Sequence, residues 1–140
     1  LTLLPHIGNW ELFGVGLTQY RSYTAMFRPL RIYQISEMVR KARERGGNIL
    51  VPATTVGVRQ IWKRLNNAET AIVLPDQAPK CGEGVYVPFF GHKVLTPVLP
   101  YRLALATGDE VFIGAAVRVG HHYEIILRHL KKLLLEDQDQ

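Results

Sequence analysis

Short apolar runs alternate with longer stretches of helical periodicity along this chain, and that alternation restricts the fold more than any other feature of the sequence. Strands and helices in strict alternation form a largely parallel sheet with helices packed on its faces. Residues 1–4 are an apolar run closed by Pro5 and read as a buried strand. Asn9 is a helix N-cap, and Glu11, Leu12, Val15 and Leu17 open a helical pattern that fades near Tyr20. Residues 24–27 predict a second strand, ended by Arg28-Pro29. Ile35, Met38, Val39 and Ala42 then recur at helical spacing with charged residues between them, until Gly46-Gly47 stops the helix. Residues 48–52 predict the third strand. Val58, Ile61, Trp62 and Leu65 form the next helical stripe, and residues 70–74 the fourth strand. Pro75-Asp76-Gln77 follows it.

Residues 78–91 are rich in glycine and proline and read as a loop. Residues 96–106 predict a helix with Pro97 and Pro100 in its first turn, where a missing N–H does no harm. Residues 110–119 and 123–127 predict two closing strands joined at Gly120-His121-His122, and residues 130–140 a frayed basic-apolar helix with an acidic-amide tail. The expected architecture is a single α/β domain over residues 1–140, with a mostly parallel central sheet flanked by helices. Ligands in such sheets bind beyond the carboxyl ends of the strands. His6, Arg28 and Asp76 each stand just past a predicted strand.

Composition narrows the class further. The 47% hydrophobic and 21% charged content is ordinary for one globular domain. Cys81 is the sole cysteine, so no intramolecular disulfide forms, and without an activating neighbour it reads as a plain loop thiol. The formal charge of +5 favours phosphates, anionic membranes or acidic partner proteins without choosing among them. No signal-peptide pattern opens the chain, and no apolar run reaches the roughly 18 residues of a membrane span. The chain starts without Met, directly in apolar residues, and is read as a piece of a longer protein.

The segment His6-Ile7-Gly8-Asn9-Trp10-Glu11 carries the most chemical information. On one continuous helix, residues five apart diverge by roughly 140°. With His6 ending a strand and Glu11 in the first turn of the next helix, the two side chains converge. A carboxylate there is favoured by the helix dipole, fixes the imidazole tautomer and stabilises the imidazolium formed when His6 takes a proton. Such a pair deprotonates an alcohol without a covalent nucleophile on the protein. A plainer reading makes His6 a strand cap and Glu11 a solvated first-turn carboxylate.

The sequence resembles the bacterial lipid A biosynthesis acyltransferases, the lauroyl/myristoyl transferase family, within the wider group carrying an H-x4-D/E motif. His6-Ile7-Gly8-Asn9-Trp10-Glu11 is similar to that family's H-x-G-N-W-E. The likeness continues through Phe27-Arg28-Pro29-Leu30, the Arg43-x-Arg45-Gly46 cluster, Leu74-Pro75-Asp76-Gln77, the Val87-Pro88-Phe89-Phe90-Gly91 block and Thr96, spanning about residues 1–128. The resemblance implies an acyltransferase catalytic domain of glycerolipid-acyltransferase-like fold. It implies transfer of a fatty acyl chain from acyl-acyl carrier protein to a hydroxyl of a lipid A precursor, at the cytoplasmic face of the inner membrane. It also implies that His6 is the general base and Glu11 its orienting partner, with Arg28, Arg43, Asp76 and Gln77 as substrate-binding residues. The arginines suit anionic groups, since a guanidinium fork matches phosphate geometry.

Two departures stand beside the likeness. The family's amino-terminal membrane helix is not within the sequence, and residues 130–140 do not continue into the helical segment expected there. A membrane surface is an expected partner; nucleic acid, cofactors and metals are not. Two other readings remain. A glycerophospholipid acyltransferase shares the His-base mechanism, although Asp usually stands where Glu11 does. A non-catalytic domain binding anionic lipid also suits the positive charge. A serine hydrolase lacks its G-x-S-x-G elbow, a zinc hydrolase its H-E-x-x-H, and Gly14-x-Gly16 lacks the third glycine of a dinucleotide fingerprint.

Overall fold

The structure, a computed structural model, describes residues 1–79 and 82–130. Cys81 and the tail from residue 131 onward, read above as a loop thiol and a frayed helix, lie outside the described residues.

The chain runs β1 (Thr2–Leu3), α1 (Trp10–Thr18), β2 (Tyr23–Phe27), α2 (Tyr33–Arg43), β3 (Ile49–Pro52), α3 (Thr55–Asn66) and β4 (Thr70–Val73). It continues through β5 (Gly84–Phe89), β6 (His92–Pro97), α4 (Leu99–Thr107), β7 (Phe112–Val119) and β8 (His122–His129). Six strands form one sheet in the order β3-β2-β4-β1-β7-β8. Every neighbouring pair is parallel except β7 and β8, so the expected mostly parallel α/β sheet is the fold observed.

Strand alternation divides the core between the two faces of the sheet. Ala71 and Val73 of β4 join Val51, Ile61, Leu65 and Leu103 on the side of α3 and α4. Ile72, between them in sequence, joins Leu4, Ala25, Ala116 and Phe13 on the side of α1. Ile61 and Leu65 are four apart on α3, so one turn of helix places both against the sheet. Asn48 ties the edge together: its amide donates to the Thr18 hydroxyl and to the Arg43 and Arg45 carbonyls, and its oxygen accepts from the Tyr23 amide.

Two expectations fail between β4 and α4. Residues 78–91, read as loop, instead contribute β5, which pairs with β6 in an antiparallel hairpin separate from the main sheet. Thr96 and Pro97 belong to β6, and the helix starts only at Leu99 with Pro100 in its first turn. Pro88 and Pro97 are tolerated because a two-stranded ribbon is all edge, and a proline there faces solvent with its missing donor. Val85, Tyr86 and Val87 supply the strand-forming side chains that the glycines and prolines around them obscure.

Candidate active site

The strand order explains how distant residues meet. β1 lies between β4 and β7, yet α1 leads away from it towards β2 on one side, while the chain after β4 returns to β7 on the other. The carboxyl ends of β1 and β4 therefore flank a point where the connections diverge, the usual place for a ligand crevice. Thr2 pairs with Ile72 and Leu3 with Val73. The same register carried three residues further sets His6 opposite Asp76.

That is where they are. Asp76 Oδ2 accepts from the His6 backbone N–H at 2.7 Å, and Oδ1 lies 2.8 Å from the ring Nδ1. The ionised carboxylate only accepts, so the ring presents Nδ1–H to it and leaves its lone pair on Nε2. Burial acts on the Asp76 carboxyl most and pushes its pKa upward. The two His6 hydrogen bonds, the Asp76 amide and the positive imidazolium together outweigh it, and the group sits below its usual range. The Gln77 side-chain nitrogen stands 3.5 Å from Nε2, a long contact that an incoming hydroxyl can displace. Trp10 meets the imidazole edge-on, with centroids 5.8 Å apart.

The turn that carries His6 is held from the other side. Gly8 bridges Ala116 of β7, and the Asn9 amide donates to the Ala116 carbonyl at 2.9 Å. Gly8 has φ +67°, and a Cβ there would stand 2.1 Å from the Ala116 oxygen. Only glycine fits both demands. Asn9 then caps α1 by accepting from the Leu12 amide, as expected.

Glu11 stands elsewhere than expected. Its carboxylate takes a two-pronged ion pair from Arg43, with Nε at 3.2 Å and the second bond from Nη2. The carboxylate on His6 is Asp76. Glu11 lies in the first turn of α1 facing the end of α2, and the planar Arg43 fork engages both of its oxygens. The Arg43 guanidinium also lies 4.7 Å from the Trp10 ring centre and 5.6 Å from that of Phe27. Stacking on two aromatic faces fixes its plane.

These side chains line one cavity of about 520 Å³. His6, Glu11, Arg28, Arg43 and Gln77 all reach it, and Leu4, Ala25, Met26, Leu50 and Ile72 give it apolar walls. Arg28, just beyond β2, makes no ion pair among the described residues. Tyr23 also lines the cavity and was not expected from the sequence. Burial, and after it the Glu11 carboxylate, raises its phenol pKa against the opposing pull of Arg43, so it stays a neutral donor. Its trace in the sequence is indirect: Gly14 of α1 leaves room for the Tyr23 hydroxyl, which would lie 2.7 Å from a Cβ at that position.

An imidazole with an oriented Nδ1–H, an Nε2 met only by the long Gln77 contact, and a cavity with both apolar walls and cationic groups suits proton abstraction from a hydroxyl on an amphiphile. Among the described residues, no three metal-ligating side chains cluster and no helix is long and apolar enough to cross a membrane.

The family described as bacterial lipid A biosynthesis acyltransferase matches residues 1–139. Over 118 residues the chain is 33% identical to the phosphatidylinositol mannoside acyltransferase of Mycolicibacterium smegmatis, covering 78% of this chain and 37% of that protein. Over 110 residues it is 30% identical to the protein of the same name from Mycobacterium tuberculosis, covering 75% of this chain and 34% of the relative. The chain thus spans about a third of the length of the curated relatives it matches. With nearly every residue matched, this chain belongs to the bacterial lipid A biosynthesis acyltransferase family.

Proposed function

We propose that the protein transfers a fatty acyl chain from the thioester of acyl-acyl carrier protein to a hydroxyl of a lipid A precursor, at the cytoplasmic face of the inner membrane. The observation that carries the reading is His6, braced on Nδ1 by Asp76 and lining a cavity with apolar walls that Arg28 also lines. In the proposed reaction, the acceptor hydroxyl displaces the Gln77 amide and hydrogen-bonds to Nε2. As its oxygen attacks the thioester carbonyl, its proton passes to Nε2. Asp76 stabilises the imidazolium. The tetrahedral adduct then collapses: the carbon–sulfur bond breaks, the ester remains, and the departing thiolate takes the proton back from His6. No covalent acyl-enzyme is needed.

Glu11 acts through Arg43. By holding the guanidinium against Trp10 it presents a fixed cation to the cavity, and Arg28 supplies a second. Both suit the phosphates of an anionic glycolipid. Tyr23 is placed to donate to the same groups.

A second acceptor follows from the names of the relatives, which are phosphatidylinositol mannoside acyltransferases. Both acceptors are anionic glycolipids that carry phosphate and free hydroxyl groups, so the same site chemistry serves either. The test is a matrix of labelled acyl transfer, with carrier-protein or coenzyme A thioesters as donors and a lipid A precursor or a phosphatidylinositol mannoside as acceptors. The carrier-protein and lipid A combination is expected to give the highest kcat/KM. A higher value with the mannoside moves the assignment to that acceptor, and transfer to neither removes the reading.

A further inference from the structure

β8 ends the sheet, and no strand lies beyond it among the described residues. All of its residues, His122–His129, are exposed, Ile125 at 46% and Leu127 at 47%. At the opposite edge β3 is four residues long, largely half-buried and closed by Pro52, which limits what a further strand could pair with. β8 is twice that length and carries neither proline nor lysine, the usual guards of an edge. A long, apolar, unguarded edge is a template for one more strand.

The existing ladder determines which groups that edge offers. The Leu130 amide donates to the Val111 carbonyl, so Leu130 faces β7. By alternation Tyr123, Ile125, Leu127 and His129 turn their N–H and C=O groups outward. In an antiparallel pair, two residues directly opposite either both point these groups at each other or both point them away. A second, antiparallel β8 therefore meets the first only where opposed residue numbers have an even sum. One such register places Ile126 on the twofold axis. It opposes Tyr123 to His129 and Ile125 to Leu127 as hydrogen-bonded pairs. It also opposes Glu124 to Arg128, twice, as the closer, non-hydrogen-bonded kind. Shifting the sum by two in either direction sets Arg128 against His122 or Ile126 and loses both ion pairs. Arg128 makes no ion pair among the described residues, and Glu124 meets His122 at 3.3 Å.

We propose that two copies of the protein join edge to edge through β8, antiparallel about a twofold axis at Ile126, so that their six-stranded sheets become one. An unrelated strand would take the same hydrogen bonds, but opposite charges matched within a single strand favour a copy of that strand. Ala116, which clamps the His6 turn, is the β7 partner of Ile125, so the interface stands one strand away from the site. Glu124, Ile126 and Arg128 do not line the cavity. The inference is independent of the acyl-transfer reading.

The test is sedimentation equilibrium of the whole protein over a range of concentrations, with circular dichroism showing each variant folded. A monomer–dimer equilibrium is expected. Glu124→Arg sets like charges opposite each other at two places and should weaken dimerisation on the order of tenfold or more. Arg128→Glu should do the same, and the two substitutions together should restore the parental equilibrium. Oxidation of Ile126→Cys in a Cys81→Ser background should cross-link the dimer, because Cα atoms in a non-hydrogen-bonded pair stand about 4.5 Å apart, within disulfide reach. Ile125→Cys, which faces Leu127, should not cross-link. A parent protein that stays monomeric overturns the proposal. So does a dimer indifferent to either charge reversal, a double reversal that fails to restore it, or cross-linking through Ile125→Cys in place of Ile126→Cys.

Discussion

Asp76 gives one carboxylate oxygen to the His6 backbone and the other to its ring, so a single side chain sets both the position and the tautomer of the imidazole. Asp76→Asn keeps the shape but loses the charge that stabilises the imidazolium, and acyl transfer should fall on the order of 10²- to 10⁴-fold. Because folding holds this carboxyl below its ordinary 3.8, its contribution to stability is fully present above that value and is lost as pH falls through the lower folded pKa. Denaturation midpoints compared below about pH 4 should therefore decline less steeply in Asp76→Asn than in the parent. Glu11→Gln tests the other carboxylate. With Arg43 released, the KM for an anionic acceptor should rise about tenfold while kcat stays within about threefold. A collapse of kcat at unchanged KM would return Glu11 to the proton path. The sequence located His6, Glu11, Arg43 and Asp76 as site candidates. It paired the ring with Glu11 and gave Asp76 to the substrate, because without the strand order a carboxylate five residues along the chain looks nearer than one seventy residues away across the sheet.

At the scale of elements, the turn between β1 and α1 is clamped to β7 through Gly8 and Asn9. Gly8→Ala brings a Cβ onto the Ala116 carbonyl in a left-handed backbone, and should cost at least about 2 kcal/mol in urea denaturation. A smaller loss would mean the turn relaxes freely, contrary to the clamp. Helix and strand periodicity showed the βα alternation through β4, since each apolar stripe faces one side of the sheet. The hairpin escaped because Gly84, Pro88 and Gly91 punctuate six-residue strands whose alternation is short and largely solvent-facing. Pro97 misled in the same way, suiting the edge of a ribbon as well as a helix start.

For the whole molecule, the order β3-β2-β4-β1-β7-β8 converts a sequence motif into a site. It sets the ends of β1 and β4 side by side, turns the chain away on both sides, and leaves a cavity lined by His6, Arg28 and Arg43. The central claim is that Nε2 of His6 removes the acceptor proton during attack on the thioester. Its most direct test is the single-turnover rate of labelled acyl transfer by the whole protein, parent against His6→Ala, with both variants shown by circular dichroism to be folded. A rate in His6→Ala lower by about 10²-fold or more is expected. Transfer at the parental rate would contradict the account.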